Sequence, residues 1–131
     1  MTIHRSTLAW AAAFAAIAVI LGALGAHALK GQLSADSLES FKTGVRYQMW
    51  HALALAFLAL LPSKEFRVKW VKILWISGII LFSGSIYLLS IAPIFDFNFR
   101  FLGPITPLGG IALISGWIVL FFKSLRASNN P

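Results

Sequence analysis

Two histidines stand at the ends of otherwise apolar stretches. His27 closes "GALGAHALKG" (22–31), three residues before Lys30, and His51 follows Tyr47 and Gln48 in "YQMWHALAL" (47–55). Imidazoles can ligate a metal, hold a haem or handle protons. Two are too few for a closed four-ligand zinc site, and Asp36 or Glu39 would have to bend in to complete one. The chain has no cysteine, which excludes disulfides, thiolate metal sites and thiol catalysis. His27 and His51 are therefore the candidate metal ligands, but neither a metal site nor a cofactor is expected. No serine has a base at motif spacing, and the four acids, Asp36, Glu39, Glu65 and Asp96, all fall in loops. No catalytic residue is assigned, and an enzyme is the least supported class.

The elements that position these groups follow from composition. Of the 131 residues 59% are hydrophobic and only 11% are charged, with a mean hydropathy of +0.83. Ordinary globular chains carry about 25% charge. So few charges cannot cover a water-facing surface, so the expected class is an all-α integral membrane protein in one domain, 1–131. Spanning helices need about 20 apolar residues. Four spans are predicted, at about 8–29, 47–61, 70–92 and 105–122. Continuous rather than alternating apolar runs favour helices over barrel strands.

The formal charge is +7. The cations are scattered between apolar runs, which suits membrane orientation rather than nucleic acid. Seven (Arg5, Lys64, Arg67, Lys69, Lys72, Lys123, Arg126) fall on one side of the four spans and four (Lys30, Lys42, Arg46, Arg100) on the other. The positive-inside rule then puts both termini in the cytoplasm and the chain in the cell membrane, the inner one where there are two. The 62–72 segment, with Phe66 and Trp70, reads as a basic surface for anionic headgroups. Ala26-His27-Ala28 also fits a signal-peptide cleavage site, although Leu8–Gly25 exceeds the usual 7–15 residues of such a leader's apolar core.

Within the first span, Ala11, Ala15, Ala18, Gly22 and Gly25 form a 4-3-4-3 seam of small residues, with Gly22 and Gly25 the expected packing sites. His27 lies about 140° from Gly22 on the helical wheel, off that seam. Ser34 and Asp36 offer N-caps to a short amphipathic helix on the outer surface, carrying Leu38, Phe41 and Val45 on one face and leading into the second span. "FDFNFRF" (95–101) alternates aromatic and polar residues, which predicts an extended segment with its phenylalanines turned inward. In "GPITPLGG" (103–110), Gly103, Pro104 and Pro107 make a rigid approach to the last span, with Thr106 as its cap.

Sorted by depth, the uncommon polar groups gather in one candidate cluster on the outer side: His27, Lys30, Tyr47, Gln48, His51, Ser83, Tyr87 and Thr106, with Ser90 near the end of the third span. Lys30 follows the first helix, where a cation complements the dipole and snorkels to headgroups. Polar groups at membrane depth need partners, so His27 and His51 are expected to belong to one cluster, where a hairpin could bring the two rings together.

"GALGAHALK", "YQMWHALAL", "GSIYLL" (84–89) and "GPITPLGG" together resemble the domain-of-unknown-function family 423. That family includes bacterial envelope proteins of the UPF0382 type and the eukaryotic transmembrane protein 256. Many members have phenylalanine where this sequence has Leu24. The resemblance implies a small four-helix membrane protein and transfers no reaction. Three functions remain open: a noncatalytic binding or assembly component of the envelope, a binder of a lipid or quinone headgroup in the outer-side pocket, and a small oligomeric transporter. The expected partners are membrane lipids and either copies of itself or other membrane proteins.

Overall fold

The computed structural model describes residues 3–62 and 67–127, so the expectations resting on Lys64, Glu65 and Phe66 lie outside the described residues. Four helices follow in order: α1 (Arg5–Ala26), α2 (Ala35–Leu60), α3 (Lys69–Ile91) and α4 (Ile105–Ala127). There is no strand among the described residues. Three stretches are long and apolar enough to cross a membrane: Arg5–Ala26, Lys69–Phe95 and Arg100–Ala127. α2 is longer than α1, but Arg46, Gln48 and His51 dilute its hydropathy.

Helices pair in chain order, α1 on α2, α2 on α3 and α3 on α4, so α2 and α3 form the inner pair. The core between them contains Leu55, Leu58, Val71, Trp75, Ile79 and Leu113, joined by Ala11 and Phe14 of α1. The outward faces are apolar too, with Val19, Ile20, Leu53, Phe57, Ile80, Ile111 and Phe121 exposed. With apolar residues on both faces, hydrophobicity cannot choose which face packs. Close approach and polar bonds must choose it.

Glycine supplies the close approach most sharply between α3 and α4. A Cβ on Gly109 would lie 2.3 Å from the backbone nitrogen of Phe82, and one on Gly116 would lie 2.4 Å from the Trp75 ring. The predicted α1 seam also packs, but more loosely: a Cβ on Gly25 would meet Phe41 at 3.2 Å, and one on Gly22 would meet Val45 at 3.5 Å.

Three local expectations are corrected. The outer amphipathic helix is not a separate element. Ser34 caps the helix through its hydroxyl, which accepts from the Ser37 amide at 3.2 Å, and α2 then runs unbroken through Gly44 to Leu60. Continuity is possible because Glu39 and Arg46 pair along it at 2.9 Å while Phe41 and Gly44 pack inward. "FDFNFRF" is not extended. A 3₁₀ turn at Ala92–Phe95 ends on Asp96 in the left-handed region (φ 54°), and a second follows at Arg100–Leu102. Phe95, Phe97 and Phe101 are exposed on the protein surface at these turns. Thr106 does not cap α4 from outside. It sits inside the first turn with its hydroxyl 2.6 Å from that of Ser85, and Pro107 is tolerated there because first-turn amides have no helical acceptor.

Candidate functional site

α2 begins at Ala35, which moves its polar residues from a boundary to the middle of the helix. At 1.5 Å per residue, 26 residues extend about 39 Å, and Gln48 lies at the centre. It is buried and bonded in both directions. Its Nε2 donates to the Phe14 carbonyl of α1 at 2.8 Å, and its Oε1 accepts from the Tyr87 hydroxyl of α3 at 2.7 Å. One side chain thus joins three helices. One turn toward the start of α2, the Ser83 hydroxyl donates to the Gly44 carbonyl at 2.7 Å. That bond needs a residue without a side chain at 44, since a Cβ there would lie 2.8 Å from the Tyr87 ring.

His51, one turn further along α2, faces α3 and α4. Its Nδ1 is 2.9 Å from the Tyr47 carbonyl, and its Nε2 is 3.0 Å from the indole nitrogen of Trp117. An indole N–H can only donate, so Nε2 is the acceptor and the ring proton sits on Nδ1, bonded to Tyr47. Both nitrogens are occupied. A metal or haem iron at Nε2 would have to displace Trp117. The ring also lies edge-on to Trp75 (6.1 Å) and Trp117 (6.0 Å), and Trp75 is fully buried with its N–H 3.3 Å from the Leu113 carbonyl.

The predicted cluster is therefore divided. Gln48 and Tyr87 bond directly, and Ser83 ties the same pair of helices, α2 and α3. His51 belongs to a neighbouring aromatic group, and Thr106 pairs with Ser85. Tyr47 contributes its carbonyl to His51, while its ring is exposed and packs on Phe82 at 4.9 Å. Ser90 is buried near the C-terminal end of α3, beside a cleft that it lines with Asp36 and Thr106.

His27 is not part of the cluster. It is exposed just past the end of α1. Gly25 already packs at the level of Phe41, and His51 lies ten residues, about 15 Å, deeper along α2. The pairing of His27 with His51 is overturned by that difference in depth. Lys30 is also displaced: α1 ends at Ala26, the chain turns through a bond from the Leu29 amide to the Leu24 carbonyl, and Lys30 stands exposed beyond it. Gly103 and Pro104 lead directly into α4 and are exposed.

Sequence reasoning missed Trp75, Trp117, Ser85 and the tight glycines 44, 78, 109 and 116. Two signals were present. Membrane tryptophans favour the interfaces, yet Trp117 is twelve residues into α4. Gly109, Leu113 and Gly116 repeat the 4-3 spacing noted in α1. The backbone carbonyls of Phe14 and Gly44 carry no sequence signal at all.

Among the described residues, no group of three or more His, Asp or Glu side chains is placed to hold a metal. Long apolar helices tied by glycine contacts and interhelical hydrogen bonds define a small all-α integral membrane protein. The chain belongs to the family described as protein of unknown function DUF423, whose match covers residues 21–110 and contains all four motifs quoted above. It is 43% identical to the UPF0382 membrane protein YwdK of Bacillus subtilis (strain 168), over 86% of this chain and 89% of that protein. It is 39% identical to the UPF0382 membrane protein SERP0230 of Staphylococcus epidermidis, over 86% and 88%. With the UPF0382 inner membrane protein YgdD of Escherichia coli (strain K12), the identity is 32% over 93% of this chain and 91% of that protein. No solved structure matches.

Proposed function

We propose that this chain is a four-span protein of the cell membrane, both termini cytoplasmic, acting as a noncatalytic binding or assembly component. α2 supports the fourth span. It lies antiparallel to α1, from the bond of the His4 amide to the Ala59 carbonyl (2.9 Å) at one end to the Gly25–Phe41 contact at the other. Its polar Gln48 and His51 face neighbouring helices, while Trp50, Leu53 and Phe57 face outward. The described cations favour the orientation: six (Arg5, Arg67, Lys69, Lys72, Lys123 and Arg126) lie at the ends that include both termini, against four (Lys30, Lys42, Arg46 and Arg100) at the opposite ends.

One observation carries the noncatalytic reading. The buried polar side chains at mid-span spend their hydrogen bonds on other helices, so the polar interior acts as a fastening. No charged side chain is among the described buried residues, which gives a transport path nothing to work with. A headgroup or quinone site has one point in its favour, an open cleft of about 280 Å³ at the outer end, lined by Asp36, Ser40, Ser90 and Thr106 among others. Purification in mild detergent, with native mass spectrometry and a visible spectrum, separates these readings. A stoichiometric quinone or haem would overturn the noncatalytic fastening, and self-assembly or a protein partner without such a ligand is the expected result.

A further inference from the structure

At the opposite end from that cleft, the starts of α1 and α3 converge on an open cavity of about 310 Å³ lined by His4, Ser6, Thr7, Arg67, Val68, Lys69 and Lys72. No acid is among these lining residues. Neither helix has a side-chain N-cap, and neither has an acid in its first turn. Helix N-termini carry unsatisfied amides and a partial positive charge, so acids are favoured there and cations disfavoured. Here Arg5, Lys69 and Lys72 occupy the first turns instead. Lys72 is held across the gap between the helices, its ammonium donating to the Ser6 hydroxyl at 2.8 Å. The Nε2 of His4 is buried with no hydrogen-bond partner among the described residues. Such an orphan is costly. Two uncapped helix starts and three lining cations share one requirement, an anion, and the His4 Nε2, when it carries the ring proton, would donate to it.

We propose that this cavity binds the phosphate of an anionic phospholipid, with Lys72, Arg67 and His4 as its principal contacts. The phosphate would cap both helix starts as acids otherwise would. The planar guanidinium fork of Arg67 suits two of the phosphate's tetrahedrally arranged oxygens, and the Ser6 bond already orients Lys72. The lipid source is favoured over free phosphate by the surface beside the cavity. Trp70 is 62% exposed and Ile73 is 42% exposed within the first two turns of α3, giving acyl chains an apolar wall next to the charge. The site lies apart from the interhelical fastening and does not depend on it, and the test below is indifferent to which end faces the cytoplasm.

The test uses the full chain in neutral detergent, following thermal unfolding by tryptophan fluorescence while dioleoylphosphatidylglycerol is titrated. Dioleoylphosphatidylcholine, glycerol 3-phosphate and inorganic phosphate serve as separate titrants. Phosphatidylglycerol should raise the midpoint saturably and the other three should not. Arg67→Gln with Lys72→Gln should weaken the apparent affinity at least tenfold, since each loses a charge-assisted contact. Lys30→Gln with Arg100→Gln, at the other end, should leave it unchanged. His4→Leu should weaken binding too, and provides the reading if the double variant fails to fold. An equal response to inorganic phosphate would overturn the lipid assignment. An equal loss in the Lys30/Arg100 variant, or full binding in both the Arg67/Lys72 and His4 variants, would overturn the site.

Discussion

Gln48 offers the sharpest test of the interhelical fastening. Gln48→Leu keeps the side-chain size and removes both bonds, to the Phe14 carbonyl and from the Tyr87 hydroxyl. Membrane hydrogen bonds measured by double-mutant cycles average about 0.6 kcal/mol and reach about 1.7. Two such bonds give roughly 1.2 kcal/mol, with an upper bound near 3.4. The losses are unequal. Phe14 lies in the middle of α1, where its carbonyl keeps its helical partner, whereas the Tyr87 hydroxyl loses its acceptor in a half-buried site. Most of the effect should therefore depend on Tyr87. Gln48→Leu should destabilise by about 1–3 kcal/mol, and Tyr87→Phe should relieve part of that cost, giving a coupling of about 0.6–1.7 kcal/mol. The assay is reversible unfolding of detergent-solubilised protein with rising dodecyl sulfate. Additive single effects, or a more stable Gln48→Leu, would refute the three-helix bridge.

The remaining predictions concern the aromatic group, the glycine contacts and the topology. His51→Ala and Trp117→Phe should be non-additive, while His51→Ala and His27→Ala should add, since only the first pair is bonded; the same unfolding assay reads both cycles. Gly109→Ala should cost about 1–3 kcal/mol or prevent folding, because the new methyl would meet Phe82 backbone, whereas Gly22→Ala should change stability by less than about 0.5 kcal/mol; thermal midpoints of the two variants compare them directly. Reporter fusions at Lys30 and Arg100 should read as outside and one at the C-terminus as cytoplasmic, and an active periplasmic reporter at the C-terminus would reverse the orientation. N-terminal sequencing beginning at Leu29 would instead establish cleavage after Ala28.

The membrane class and all-helical architecture were legible because they depend on quantities that add along the chain. Charge scarcity and unbroken apolar runs mark Arg5–Ala26, Lys69–Ile91 and Ile105–Ala127 whatever packs on them. The family motifs were legible for a similar reason, being contiguous. α2 is harder to read, because in a linear sequence polarity looks like depth. Arg46, Gln48 and His51 look like a boundary in one dimension, but in three dimensions the latter two are inward-facing at mid-helix and the helix starts twelve residues before Tyr47. From that appearance comes the expected pairing of His27 with His51. Partner choice was decided only by the tertiary structure. Gln48 bonds the Phe14 carbonyl, Ser83 bonds the Gly44 carbonyl, and His51 meets Trp117, 66 positions away. Backbone acceptors are identical at every residue, and which of them is offered depends on how closely the helices approach. Glycines set that distance, and their effect appears only when two helices are laid together.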